Sequence, residues 1–442
     1  MSERFDILVV GAGPAGIAAA VSASAAGKRV GLVDDNPAPG GQIWRNGSPQ
    51  PAAARRWHAR LDAAPLVRLQ GWRVFDAPAR GILRAECNSE CRDLSYGQLI
   101  LATGARERFL PFPGWTLPNV MGAGGLDAMA RGGLPIAGRR VVVAGTGPLL
   151  LAVAAHLARR GAKIVAICEQ APMRRLLPFA MQLAGEPAKL LQAIAYGMAT
   201  RGARVHTCCW PIAASGNEKL ESVTLHRKGK QWDVRCDYLA CGFHLVPNLE
   251  LPALLGCRIE DGFVVADDLL RTSVADVFCA GEATGIGGVE LALLEGQIAG
   301  LAAAGNTEEA GKLAPSRSRR LGFVRALRAV TALDPRLKGL ATDSTIVCRC
   351  EDVSFGALRG HGGWRDARLH TRCGMGPCQG RICGAATEFL FGWGPAHEPS
   401  SARPPVFPAR VSSLAMANQP ACASAGLSTQ GASTSSRQKE LL

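Results

Sequence analysis

The feature that most constrains this chain is a glycine-punctuated turn that opens at residue 11. Phe5 to Val10 is an apolar, β-branched run of the kind buried on both faces of a parallel sheet. It leads directly into Gly11-Ala-Gly13-Pro-Ala15-Gly16, then into an alanine-rich helical stretch that Gly27 ends. Arg29 to Val33 reads as a second strand, closing on Asp34 and Asp35. Strand, three glycines, helix, strand and acid in that order predict a dinucleotide-binding unit. Gly11 makes the tight turn, Gly13 lets backbone approach a pyrophosphate, and Gly16 lets the helix pack closely on the strand. Ala15 lies inside the same turn. The unpaired N–H groups and positive dipole end of the helix suit phosphate. Asp34, 23 residues after Gly11, is the expected ribose ligand, with Asp35 second.

Two distant segments indicate which nucleotide is bound. Leu99-Ile-Leu-Ala102-Thr103-Gly104 is a strand ending in a turn of small residues, and Thr272 to Gly281-Glu282 is another strand with a carboxylate at its tip. Both resemble segments of two-dinucleotide-domain flavoproteins, a resemblance that implies FAD. The usual aspartate of the second segment is here Glu282, one methylene longer, so its contact to the cofactor is expected to run through water.

The first unit has an internal repeat. Arg139 to Ala144 is a strand, Gly145-Thr-Gly147-Pro-Leu-Leu150 a damaged fingerprint, and Gly161 again ends a helix before the strand Lys163–Cys168. Leu150 replaces the third glycine and should push the helix away from a pyrophosphate. Counting 23 residues from Gly145 puts Cys168 at the acid position, with Glu169 or Gln170 as substitutes. The expectation is an inserted Rossmann-like domain, chiefly structural, with NAD(P) or another adenine nucleotide as doubtful occupants.

Five of the 15 cysteines crowd the stretch from Cys348 to Cys383. Cys348-Arg-Cys350 and, beyond Cys373, the glycine-rich Gly-Met-Gly-Pro-Cys378-Gln-Gly-Arg-Ile-Cys383 offer soft thiolate ligands from two loops, as a [2Fe–2S] cluster needs. Zinc is the rival, although C-x-C is unusual for structural zinc. The segment resembles the bacterioferritin-associated-ferredoxin-like domain. That match implies Cys348, Cys350, Cys378 and Cys383 as ligands, with Cys373 a nearby fifth thiol that could replace Cys383. Cys236 and Cys241 lie on an apolar strand pattern, and Cys87 and Cys91 on a polar stretch, so no redox disulfide is expected.

Fifty Lys and Arg against 36 Asp and Glu give a net charge of +14, but the basic residues are scattered as pairs and aromatics make up only 5%. Base-stacking platforms have little material, and nucleic-acid binding is not expected. Val10 to Gly27 is uncharged yet glycine-broken, so it reads as strand, turn and helix rather than as a membrane span. Glu3, Arg4 and Asp6 argue against a secretory signal, and a cytoplasmic location is expected, with peripheral membrane docking left open.

Across residues 1–412 the chain resembles the FAD- and [2Fe–2S]-containing α subunit of heteromeric amino-acid and opine dehydrogenases. Pro39-Gly-Gly41-Gln42-Ile-Trp-Arg45, Pro111-Phe-Pro-Gly-Trp115 and Gly285-Ile-Gly-Gly288 look like that family's signatures. The resemblance implies backbone at Gly41 and Gln42 near the flavin. It also implies an amine substrate (D-hydroxyproline, D-proline, an opine or similar) oxidised on a β subunit resembling D-amino-acid oxidase. A small γ subunit is a further candidate partner. The alternatives are a self-sufficient NAD(P)H-dependent flavin reductase and a subunit of hydrogen cyanide synthase. No catalytic residue is assigned: His244 reads as packing or capping, and Glu290 and Glu295 as a solvated helix face. The expected class is α/β. An FAD domain covers 1–120 and 240–305, a Rossmann-like insertion 136–239, a polar connector 306–340, a [2Fe–2S] domain 341–395 and a Pro/Ser-rich tail 396–442.

Overall fold

A computed structural model describes residues 3–45, 50–88, 90–184, 187–395 and 402–416. The strand Glu3–Val10 is the centre of a seven-stranded sheet. Val30–Asp34 and Cys91–Leu101 flank it in parallel, Val67–Gln70 lies outside Val30–Asp34, and Val277–Cys279 joins the carboxyl end of Cys91–Leu101. Ile82–Glu86 and Arg73–Ala79 extend the other side antiparallel. The helix Pro14–Ala25 is buried along almost its whole length because it is sandwiched between this sheet and the helix Val289–Ala303. That sandwich needs glycine: a Cβ on Gly296 or Gly300 would lie 2.1 or 2.3 Å from the carbonyl oxygens of Ala15 and Ala19.

The second sheet repeats the plan in five parallel strands, ordered Arg204–Thr207, Lys163–Glu169, Arg140–Thr146, Tyr238–Phe243 and Val120–Gly122. A three-stranded meander, Cys209–Ser215, Ser222–Arg227 and Lys230–Arg235, covers it. Its core begins earlier in the chain than the expected 136, since Leu110, Phe112, Trp115 and Val120 pack there rather than in the first unit. The antiparallel pair Ala105–Glu107 and Leu245–Pro247 carries the chain out of the first unit and back.

The stretch 306–340 is a 25-residue helix, Thr307–Thr331, followed by a 3-10 turn at Pro335–Gly339. The cysteine-rich unit folds around Trp364, with the short strands Ile346–Cys348 and Val353–Ser354 and the helices Trp364–Thr371 and Cys383–Phe391. Of the Pro/Ser-rich stretch 396–442, residues 396–401 and 417–442 lie outside the described residues. Residues 402–416 run across the first sheet: Val406 donates its N–H to the Phe75 carbonyl at 2.8 Å, and Arg410 pairs with Glu86. Among the described residues no helix is long and apolar enough to cross a membrane.

One acid on the helix Val289–Ala303 departs from the sequence expectation. Glu295 is 1% exposed and not part of a solvated face. It accepts from the Gly281 N–H at 2.9 Å, the Thr284 hydroxyl at 2.7 Å and Arg317 Nε at 2.9 Å, which also buries one of the scattered basic residues. Removing one member of a buried, hydrogen-bonded ion pair leaves the other charge uncompensated. Glu295→Ala is therefore expected to cost about 3–5 kcal/mol in chemical denaturation, against little measurable change for Glu309→Ala on the exposed Lys312 pair.

Candidate cofactor sites

At the first glycine turn the backbone is packed against backbone. A Cβ on Gly11 would lie 2.2 Å from the Ala102 carbonyl oxygen, and one on Gly16 would lie 1.7 Å from that of Gly11. Gly13 caps the helix Pro14–Ala25 without any side-chain hydrogen bond, and the one atom near a Cβ there would be Gly41 Cα at 3.9 Å. Gly40 donates its N–H to Ala12 O at 2.7 Å, which lays the Gly40-Gly41-Gln42 loop over the turn. Asp34 is buried at the strand end, with Oδ2 accepting from the Ala12 N–H at 2.5 Å and Oδ1 from the Asn36 backbone and side chain at 2.8 and 2.7 Å. Asp35 is exposed and lies 3.6 Å from Arg73.

The other predicted FAD segments converge on this turn. Ala102 donates to Val10 O, while Thr103 and Asn248 are locked by two reciprocal 2.8 Å hydrogen bonds. Gly281 lies so close that a Cβ there would meet Ala15 Cβ at 2.8 Å. Glu282 is half-buried, with Oε1 accepting from the Gly288 N–H at 3.1 Å and Oε2 buried without a partner among the described residues. Burial, with the nearby Glu295 charge, pushes its carboxyl up to about 7. A helix N-terminus without a side-chain cap, a glycine cradle and an orphaned buried carboxylate oxygen fit a dinucleotide cofactor.

The repeated turn is built differently. Val10 pairs with Val33 in the first sheet, and Ala144 pairs with Cys168 in the second. Glu169, and not Cys168, is therefore the counterpart of Asp34. The pairing shifts between Ile164 and Ala166, and this bulge inserts the one residue that counting along the sequence misses. Glu169 is buried and accepts from Thr146 Oγ1 and the Gly147 N–H, each at 2.7 Å, and from the Ala171 N–H at 2.8 Å. Leu150 is fully buried, in the core that includes Val141, Val143 and Val153. The end of the connector helix closes over the turn. Thr331 Cγ2 would lie 2.8 Å from a Cβ on Gly147, and Gln170 ties the turn to the connector through Ala332 O and the Asp334 N–H.

In the cysteine-rich unit, the sulfurs of Cys348, Cys373 and Cys383 lie within 4.8 Å of one another, all buried. Hydrogen bonds from the other two thiols and from the Gly374 N–H (3.5 Å) hold the Cys348 thiol below its usual range. Cys350 is exposed and in hydrogen-bond contact with Cys378. Gly376 permits this, since a Cβ there would meet Cys350 Cβ at 2.4 Å. All five thiols are thus brought together, a donor set that suits an iron–sulfur cluster. Cys236 and Cys241, by contrast, are buried on and beside one strand, their thiols pushed up by burial, Cys236 to about 12.

Four residues that the sequence reading missed, Arg106, Asn248, Glu250 and Arg381, join the two sites. Arg106 donates from Nη1 to Asn248 Oδ1 at 2.8 Å and from Nε to Arg381 O at 2.9 Å, and lies 2.9 Å from Glu250. Arg381 in turn donates to Cys378 O at 3.2 Å and Val406 O at 2.6 Å. The only local signal was the position of Arg381 between two candidate ligands.

A model of the pyridine nucleotide-disulphide oxidoreductase family matches residues 5–304. The chain belongs to that family. It is an FAD-dependent oxidoreductase. An opine oxidase subunit of Agrobacterium tumefaciens (strain Ach5) is 32% identical, aligned over 94% of this chain and 92% of the relative. Hydrogen cyanide synthase subunit HcnB of Pseudomonas aeruginosa is 29% identical over 85% and 90%. The crystal structure of L-proline dehydrogenase from P. horikoshii shares the fold with a TM-score of 0.62 at 17% identity, covering 94% of this chain and 80% of that one.

His244 has a left-handed backbone (φ 71°), and its backbone carbonyl accepts from the Arg108 N–H at 2.9 Å. Burial, then Arg108 and Arg328, pull its imidazole down to about 4. Below about pH 6.5 the unfolded chain takes up a proton that the fold resists, so stability falls from about pH 6.5 to about pH 4. His244→Asn, which tolerates the backbone angle, is expected to flatten that fall by roughly 3 kcal/mol in denaturation curves across this window.

Proposed function

We propose that the chain is the FAD- and [2Fe–2S]-carrying electron-transfer subunit of a heteromeric dehydrogenase. In this reading a separate polypeptide, resembling D-amino-acid oxidase, oxidises a secondary amine such as an opine, D-proline or D-hydroxyproline. The observation that carries it is the hydrogen-bonded line Thr103–Asn248–Arg106–Arg381–Cys378, which seats a cysteine loop on the turn of the flavin site. When bound, a flavin supplies the exchange between two-electron and one-electron chemistry, and a cluster carries one electron at a time. The chain's own residues hold and orient. Gly11, Gly13 and Gly16 with the helix N-terminus cradle phosphates, Asp34 fixes the turn from beneath, and the cysteine pocket presents ionisable thiols. Arg106 and Glu250 fix the spacing between the two sites.

The relatives support the heteromeric part, since both are named as subunits. The second turn supports a partner, and not a nicotinamide, as the electron source. Leu150 fills the place of the third glycine, and Thr331 covers Gly147. Zinc is a weaker occupant of the cysteine pocket, because the C-x-C spacing of Cys348 and Cys350 is unusual for structural zinc.

Stopped-flow mixing of the isolated chain with NADH or NADPH is expected to leave the flavin band unbleached on the millisecond-to-second scale. Rapid bleaching would make the chain a self-sufficient reductase and overturn the proposal. Co-purification with the products of neighbouring genes, followed by an amine screen with an artificial acceptor, is expected to give activity only in the complex. Cys378→Ser is expected to abolish or shift the EPR signal of the reduced cluster while FAD content holds, and an unchanged spectrum would reject Cys378 as a ligand.

A further inference from the structure

We infer that Cys373 is a reserve ligand, able to hold iron in place of Cys383 or Cys348, an inference that rests on the cluster reading above. A binuclear cluster takes two thiolates on each iron, and the five sulfurs here divide unevenly. Cys350 and Cys378 touch at the exposed rim and suffice for the outer iron. Cys348, Cys373 and Cys383 form a second, buried group. Bonds of about 2.3 Å to a tetrahedral metal place two sulfurs roughly 3.8 Å apart, so any two of these three could serve the inner iron.

Cys373 is held for this role by its backbone. It follows Arg372, whose left-handed conformation (φ 65°) ends the helix Trp364–Thr371, and its N–H donates to Thr371 Oγ1 at 3.2 Å. The side chain is fully buried, and its sulfur meets the other two thiols in hydrogen-bond contact. Gly374, next in the chain, packs against Trp364 so closely that a Cβ would meet the ring at 2.5 Å, which pins the turn. The exchange is redox-neutral. The bond from iron to one cysteine breaks, the bond to Cys373 forms, and the proton of the incoming thiol passes to the released one.

The test uses the full chain, reconstituted anaerobically with iron and sulfide, with iron content, acid-labile sulfide and EPR of the reduced protein as readouts. Cys383→Ala is expected to retain the iron content of the parent with shifted g-values, and Cys373→Ala to keep the parental spectrum. Cys373→Ala/Cys383→Ala is expected to lose the cluster while flavin content and circular dichroism stay as in the parent. An iron-free but folded Cys383→Ala protein, or a double variant that keeps its cluster, overturns the inference. Should Cys383→Ala fail to fold, iron loss to a chelator decides. Cys373→Ala should shed iron several-fold faster than the parent, and an equal rate overturns the inference. A parent that takes up no iron refutes the cluster reading itself and is distinguishable from all of these results.

Discussion

The rest of the first unit depends on a close approach between two stretches of main chain. At Gly16 the helix Pro14–Ala25 comes so near the carbonyl of Gly11 that no side chain fits between them. That approach sets the helix N-terminus at Gly13, where no side chain caps it, and lets Ala102 and Gly281 close in from two other segments. The same need for proximity recurs behind the helix, where Gly296 and Gly300 admit a second helix whose Glu295 holds the Gly281 loop from below. Close packing of backbone, and not a set of polar side chains, defines the first site.

The two halves of the repeat show what survives when that proximity is lost. Leu150 occupies the place of Gly16 and is absorbed into an apolar core, yet the turn keeps its shape because Glu169 grips Thr146 and Gly147 much as Asp34 grips Ala12. The carboxylate at the end of the second strand thus has an architectural duty in both copies. In the second copy the connector lies where a ligand would lie in the first, and Gln170 ties it down from both sides.

Much of the fold was legible because its signals are local. Apolar runs, glycines and terminating residues lie within about thirty residues of one another in each unit, and the two strand–turn–helix–strand units follow from them. The failures have specific causes. Glu169 ranked behind Cys168 because of a bulge, which alters register without altering composition. Glu295 looked like part of a wet helix face because its partners, Gly281, Thr284 and Arg317, come from other segments. The span 402–410 read as tail from its prolines, while its anchors Val406 and Arg410 depend on Phe75 and Glu86, more than three hundred residues earlier. Arg106 had no local pattern at all, since its role exists only once Asn248 and Arg381 are brought beside it.

The seating of Thr331 on Gly147 limits how this chain could change. Restoring glycine at position 150 would repair the local defect in the repeat and still leave the mouth of that turn filled by the chain's own helix end. Regaining a nucleotide there would require Thr331, Ala332 and Asp334 to withdraw together, and these residues lead into the cysteine-rich unit. A change at position 150 alone would thus leave the turn covered: uncovering it takes a rearrangement that would unsettle the neighbouring cysteine pocket.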